Sequence, residues 1–250
     1  MTSTKDGNAY DRLLTALFKQ HWKSGAVDVP FTKDDLIEKA QSLGVKVKNL
    51  PDVLYTYRNR RPFPHAILAK GNWVIASRGP GRYAFEKVAG AAIIEVPHKL
   101  KRYNIPYAVP EIVARNIAND EQGLLTVVRY NRLLDVFTGV ACFHLQTHIQ
   151  THVPKHGQVQ IDDLYVGVDK NGAGYVLPVE AKDSGESLGI DKVVALTLFA
   201  QHKFPNLVCR PMAVIRQAPD EIACIEFEPA VELKSVSLME MRCYRLLRED

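Results

Sequence analysis

Two stretches of this chain put carboxylates and a lysine into runs that are otherwise apolar. Gly157-Gln-Val-Gln-Ile-Asp-Asp-Leu-Tyr-Val-Gly167 carries Asp162 and Asp163 at its middle, and Tyr175-Val-Leu-Pro-Val-Glu-Ala-Lys182 ends on Glu180 and Lys182. A carboxylate inside a strand is costly unless it is exposed or binds something. Side chains alternate along a strand, so Leu177, Val179 and Ala181 share one face and Glu180 and Lys182 the other, about 7 Å apart. Asp169-Lys170-Asn171-Gly172 is a good hairpin turn between the two strands, and the hairpin can bring Asp163 alongside Glu180 and Lys182. Such a set suits a hard divalent cation, Mg2+ first and Mn2+ as its substitute, which takes oxygen ligands and keeps several waters. Asp163 and Glu180 offer two oxygens and the Ala181 carbonyl a third, with Asp162 the alternative to Asp163. The chemistry would be phosphodiester hydrolysis. The cation polarises the phosphate and acidifies a water, while Lys182 orients that water or offsets charge growing on the phosphate.

Each feature has a plainer reading. Glu-x-Lys also occurs at Glu232-Leu233-Lys234, but that copy follows Pro229 and lacks an acid-bearing apolar strand upstream. Glu180 and Lys182 alone could be a surface ion pair worth little. His144, His148 and His152 are metal-ligand types, yet on a strand the i, i+4 spacing sets them about 13 Å apart per step, beyond one ion. Gln158 and Gln160 read as exposed, and Asp183, Ser184 and Glu186 as loop residues, with Glu186 within reach of a second ion. The four cysteines are far apart and form no CxxC pair, which argues against a zinc site or a disulfide framework.

Around these residues the pattern is that of an α/β (α+β) domain with a mixed sheet. Strands are predicted over 142–153, 158–168, 174–182, 207–215, 222–227 and 235–246, with a helix over 190–202 and further helices near 110–118 and 129–137. The order acid strand, turn, apolar strand with Glu180-Ala181-Lys182, then helix, resembles the PD-(D/E)xK nuclease superfamily. The run from Asn131 to Lys182 and the later Lys203-Phe204-Pro205-Asn206-Leu207 look more narrowly like bacterial type II restriction-endonuclease-like proteins. The resemblance implies a restriction-endonuclease-like catalytic core. It carries the family's first acid to Asp163, its second to Glu180 and its lysine to Lys182. Asp163 is preferred over Asp162 because it shares strand parity with Ile161 and Tyr165 and directly precedes Leu164-Tyr165-Val166. The proline of the family's motif is absent, Ile161 standing before Asp162.

The first ninety residues have another texture. Helices are predicted over 10–22, over 33–43 with Thr32 as N-cap, and over 51–60, followed by short strands at 66–68, 73–77 and 82–88. Three helices and a small hairpin make a winged helix-turn-helix-like layout, with domains at 1–90 and 91–250. Residues 1–90 hold fifteen Lys/Arg against eight Asp/Glu, a net +7, whereas the rest hold seventeen against twenty, a net −3. A basic front end of this kind suits a polyanion. The recognition helix would offer Tyr55, Tyr57, Arg58, Asn59, Arg60 and Arg61 to bases and phosphates, and Arg78 and Arg82 flank the wing tip Gly79-Pro80-Gly81. The expected function is a sequence-specific, Mg2+-dependent endonuclease for double-stranded DNA. It would act as a homodimer beside a cognate DNA methyltransferase. A non-catalytic winged-helix regulator and a nuclease for repair or recombination intermediates are the alternatives. No eighteen-residue apolar run and no secretory signal are present, so a cytoplasmic protein away from membranes is expected.

Overall fold

The computed structural model describes residues 9–45, 50–59, 61–154 and 156–248, without the side chains of residues 50, 51 and 59. In chain order it contains α1 (Ala9–His21), β1 (Asp28–Thr32), α2 (Lys33–Ser42), α3 (Leu50–Asn59), α4 (His65–Leu68), β2 (Asn72–Ser77), β3 (Arg82–Val88), β4 (Ile93–Ile94), β5 (Arg102–Pro106), α5 (Glu111–Ala114), α6 (Glu121–Tyr130), α7 (Leu133–Thr138), β6 (Ala141–Val153), β7 (Gly157–Val168), β8 (Gly174–Lys182), β9 (Leu188–Gly189), α8 (Ile190–Lys203), β10 (Val208–Cys209), β11 (Met212–Ala218), β12 (Glu221–Phe227) and β13 (Leu238–Leu247). The protein is a mixed α/β structure in two compact units. One runs to Ile94 and takes back the short pieces Lys155–Gly157 and Ser187–Asp191; the other is the remainder. No helix among the described residues is long and apolar enough to cross a membrane.

In the first unit the apolar spacing of α1 buries Leu13, Leu14, Leu17 and Phe18. Thr32 caps α2 in a reciprocal box: its hydroxyl accepts from the Asp35 N–H, and the Asp35 carboxylate accepts from the Thr32 N–H at 2.7 Å. Three strands form a sheet in the order β1-β3-β2. Trp73 and Phe85 meet Phe18 edge-on across the core, each with ring centroids 5.1 Å apart. Residues 66–68, expected as a strand, belong instead to the single helical turn α4. The Pro64 carbonyl accepts from the Ile67 and Leu68 N–H groups and closes that turn. A three-residue apolar run carries too little periodicity to tell the two states apart. Strand β1 carried no sequence expectation either.

The second unit is built on an eight-stranded mixed sheet in the order β5-β13-β12-β11-β8-β7-β6, with β10 also pairing β8. β7 and β8 are antiparallel, and β8 and β11 parallel. A parallel connection needs a crossover, and α8 supplies it. Leu177, Val179 and Ala181 of β8 pack with Leu124, Val128 and Leu134 of α6 and α7 on one face, while Val176 and Leu164 pack with Leu196, Phe199 and Ala200 of α8 on the other. Both faces of β8 are covered, which is why this strand reads as nearly continuous apolar sequence. The helix expected over 129–137 is two helices, α6 and α7, parted at Arg132, whose φ of 50° is left-handed. The strand expected over 207–215 is broken at Arg210-Pro211, because proline cannot donate to a ladder. β6 is the outer strand of the sheet, and His148 within it has φ 49°; Thr147 before it and Ile149, Thr151 and Val153 after it are the more buried residues, so the alternation read from 143–153 keeps its parity across that residue.

α6 carries Glu121, which meets Lys182 of the site described below, and a glycine seats it. A Cβ on Gly123 would lie 1.7 Å from the Ala118 carbonyl oxygen, a backbone contact that cannot yield locally. Gly123→Ala is therefore expected to destabilise this unit by about 2 kcal/mol or more, measured by urea unfolding.

Candidate active site

β7 and β8 part where the acids are. Their ladder runs from Val168↔Gly174 to Asp163↔Val179. Past that pair, Ala181 of β8 gives its N–H to the Asp162 carboxylate at 2.9 Å, while on its far side β8 stays paired with β11 through Lys182. A side-chain oxygen thus replaces a ladder partner, and Asp162 is fixed at the mouth of a fork between two strands.

Glu180 is 1% exposed in the same place. Lys182 Nζ and Lys192 Nζ, the latter from the first turn of α8, each lie 2.9 Å from Glu180 Oε1. The other oxygen, Oε2, is buried without a hydrogen-bond donor. Lys182 donates to Glu121 Oε1 of α6 at 3.0 Å and to the Ala181 carbonyl at 2.8 Å. Burial works against the Lys182 ammonium, but Glu180, Glu121 and Asp162 outweigh it and hold its pKa above the ordinary lysine value. Burial, and then the Glu180 charge, push Asp162 up to about 6.

Asp163 was expected beside Glu180 and Lys182, and the structure places it elsewhere. Its parity with Tyr165 and its pairing with Val179 turn it to the face covered by α6. There, fully buried, it accepts from Arg129 Nε at 3.1 Å and meets His144 Nε2 at 2.8 Å. The His144 ring packs edge-on to Tyr165. Arg129, His144 and Tyr165 also line a cavity of about 100 Å3 on that face. The acid grouped with Glu180, Lys182 and the Ala181 carbonyl is Asp162. The two acids stand on opposite faces of one strand, and a single ion cannot take both.

The fit to a divalent cation rests on Glu180. A buried carboxylate oxygen with no donor is an expensive group, and a cation ligated by Glu180 Oε2 and Asp162 would satisfy it. Mg2+ is commonly held by one or two carboxylates, with waters and substrate filling the rest. Among the described residues no group of three or more His, Cys, Asp or Glu side chains could hold a metal ion, so two carboxylates and a carbonyl are what the site offers. Glu121 and Lys192 were not foreseen. Glu121 follows the N-cap Asp120 in an ordinary helix start, and Lys192 belongs to an ordinary amphipathic helix, so only tertiary packing reveals either.

Of the residues expected to face DNA in the first unit, Tyr57 is buried in the core, stacked on Phe63, with its hydroxyl on Asp11. Arg58 donates from Nε to the Ile75 carbonyl at 2.8 Å, and Arg61 pairs with Asp11 and the Tyr57 hydroxyl. Tyr57 and Arg58 fasten α3 to its own unit, since a helix must turn one stripe inward, and Arg61 does the same from just beyond the helix. Tyr55 is 44% exposed, and Arg82 is exposed beside the Gly79-Pro80-Gly81 turn. Arg78 is also at the surface, held by Glu86 at 2.6 Å and Asp28 at 2.9 Å. The Asn59 side chain and Arg60 lie outside the described residues.

Comparison of the chain with protein-family models, curated proteins and solved structures found no match in any of the three.

A carboxyl whose pKa is raised by folding favours the fold while protonated. Its contribution therefore weakens as pH rises from the ordinary carboxylate range through about 6 and stays weakened above. Asp162→Asn keeps an acceptor for the Ala181 N–H and removes the charge. In chelator at pH 8 the variant is expected to be more stable than the parent by about 1–3 kcal/mol, with the gain shrinking toward pH 4, as read by thermal melts across that range.

Proposed function

We propose that the second unit is a metal-dependent phosphodiesterase of the PD-(D/E)xK type. Its site is Asp162, Glu180, the Ala181 carbonyl and Lys182, with Asp162 taking the place first expected for Asp163. One observation carries this reading: the buried Glu180, its Oε2 without a donor, beside Asp162 at the fork where β7 and β8 part. An Oε2 left without a donor, next to a second carboxylate, is an open position for a cation.

Mg2+, or Mn2+ in its place, would supply Lewis-acid polarisation of a phosphate and an acidified water. The chain's own groups do the rest. Asp162 and Glu180 hold the cation through charge. The ladder bond from Ala181 to Asp162 fixes one carboxylate, and burial in the sheet fixes the other. Lys182 is an ammonium held by three acids, so its role is that of a charge rather than a base: it offsets negative charge growing on the phosphate. Proton removal from water falls to another group.

The restriction-endonuclease-like core is the finer form of this reading. Its support is the succession of acid strand, turn, Glu180-Ala181-Lys182 strand, helix and parallel strand. The substrate we infer is double-stranded DNA cut in a sequence-specific, restriction-type manner. A homodimer would place one site on each strand, and a cognate methyltransferase would protect the same sequence. The first unit, with its helices and β2–β3 hairpin, is read as a winged helix-turn-helix-like DNA-binding module. Tyr55, Arg78 and Arg82 form its contact surface, in place of the inward-facing Tyr57, Arg58 and Arg61.

Incubation with plasmid and Mg2+ tests the assignment. Discrete fragments are expected from the parent and from Asp163→Asn, with cleavage lost by about a hundredfold or more in Asp162→Ala, Glu180→Ala and Lys182→Ala. DNA binding without cleavage of any substrate would turn the reading to a non-catalytic regulator, and cleavage confined to branched or single-stranded DNA to a repair nuclease.

A further inference from the structure

Without a metal the two inner acids of the fork are already matched by two ammoniums. Asp162 and Glu180 face Lys182 and Lys192, two acids to two ammoniums, and Glu121 adds a third acid at the outer side of Lys182. A divalent cation arriving at Asp162 and Glu180 would meet two ammoniums crowded onto one oxygen of its own ligand. Like charges at such distances repel strongly in a partly buried site. Something positive must withdraw.

The two lysines differ in what holds them. Lys182 has Glu121 and the Ala181 carbonyl besides Glu180. Among the described residues Lys192 has one ion-pair partner, Glu180. Its side chain is 22% exposed, against 11% for Lys182, so it has a path to solvent on a flexible four-carbon stem. Losing Glu180 therefore costs Lys192 its one ion pair among the described residues and leaves it to be hydrated, while Lys182 keeps Glu121 even where the Ala181 carbonyl turns to the ion.

We propose that Lys192 is a placeholder cation: it neutralises Glu180 in the metal-free protein and leaves that carboxylate when a divalent ion binds to Asp162 and Glu180. The inference rests on the metal-site reading above. It gives Lys192 the role of a positioning residue that keeps the buried acid charged and in place until the ion arrives, at the cost of weakening the ion's binding. A purely structural Lys192 would join α8 to β8 and stay on Glu180 when the ion binds, its exposure unchanged.

Mn2+ titration of the full chain by calorimetry and by the paramagnetic resonance of free Mn2+ separates these roles. Lys192→Met, which keeps the apolar stem, is expected to bind Mn2+ about tenfold more tightly than the parent, the scale of one lost charge interaction; Lys192→Arg is expected to match the parent. Equal or weaker binding by Lys192→Met overturns the proposal. A measurement on the parent alone stands beside it, independent of how the variants fold. Acetylation by acetic anhydride, mapped by mass spectrometry, should rise several-fold at Lys192 on adding Mn2+ and stay unchanged at Lys182; no rise at Lys192 overturns the proposal. The two readings fail differently. If the parent binds no Mn2+, or binds it equally well as Glu180→Gln, the metal site itself is lost. If the parent binds Mn2+ through Glu180 and Lys192→Met binds no better, only the placeholder is.

Discussion

A carboxylate that is 1% exposed cannot stay charged on its own; it needs compensating positive charge within a few ångströms. At Glu180 that charge comes from two lysines, one two residues along the same strand and one from the helix that crosses back over the sheet. The second unit is arranged so that these partners arrive. β8 is covered on both faces and so is held rigidly. α8 must begin close to the end of β8 to make the crossover to β11, which sets Lys192 over Glu180. The Gly123 contact lets α6 start where Glu121 can reach Lys182.

The opposite face of β7 shows the same constraint answered in another way. Asp163 is also fully buried, but Arg129 and His144 supply its hydrogen bonds as well as its charge. Two neighbouring residues of one type thus have different fates. One is satisfied within the fold, and the other is a raised-pKa acid beside a carboxylate with one oxygen lacking a donor. Local sequence is nearly the same for both; the difference comes from which face meets α6 and which meets α8.

That contrast marks what could be read in advance. The strand carrying Glu180-Ala181-Lys182 was legible to the residue, because a run that is apolar on both faces and polar only at its end suits a strand covered on both sides and little else. The Thr32 cap was legible because capping is local chemistry. The choice between Asp162 and Asp163 was not, since it turns on where the β7–β8 ladder stops, and parity with Ile161 and Tyr165 pointed to the wrong face. Glu121 and Lys192 were invisible for a related reason: each lies in a helix of ordinary pattern, and nothing in that pattern says which strand residue it will meet. In the first unit the basic segment was visible, but not that Arg58 and Arg61 are used up inside it, because an arginine bound to a carbonyl or an aspartate looks in sequence like one waiting for phosphate.

The left-handed residue His148 bears on the rim of the large sheet. β6 is the outermost strand, thirteen residues long and without a single Lys, Arg, Asp or Glu, and it exposes Phe143 and Leu145. Strands of that description invite another chain to add on, and proteins commonly guard them with charge. Here the guard is conformational. His148, with φ 49°, puts one left-handed residue midway along that rim, a backbone conformation that an incoming extended segment does not match at that position.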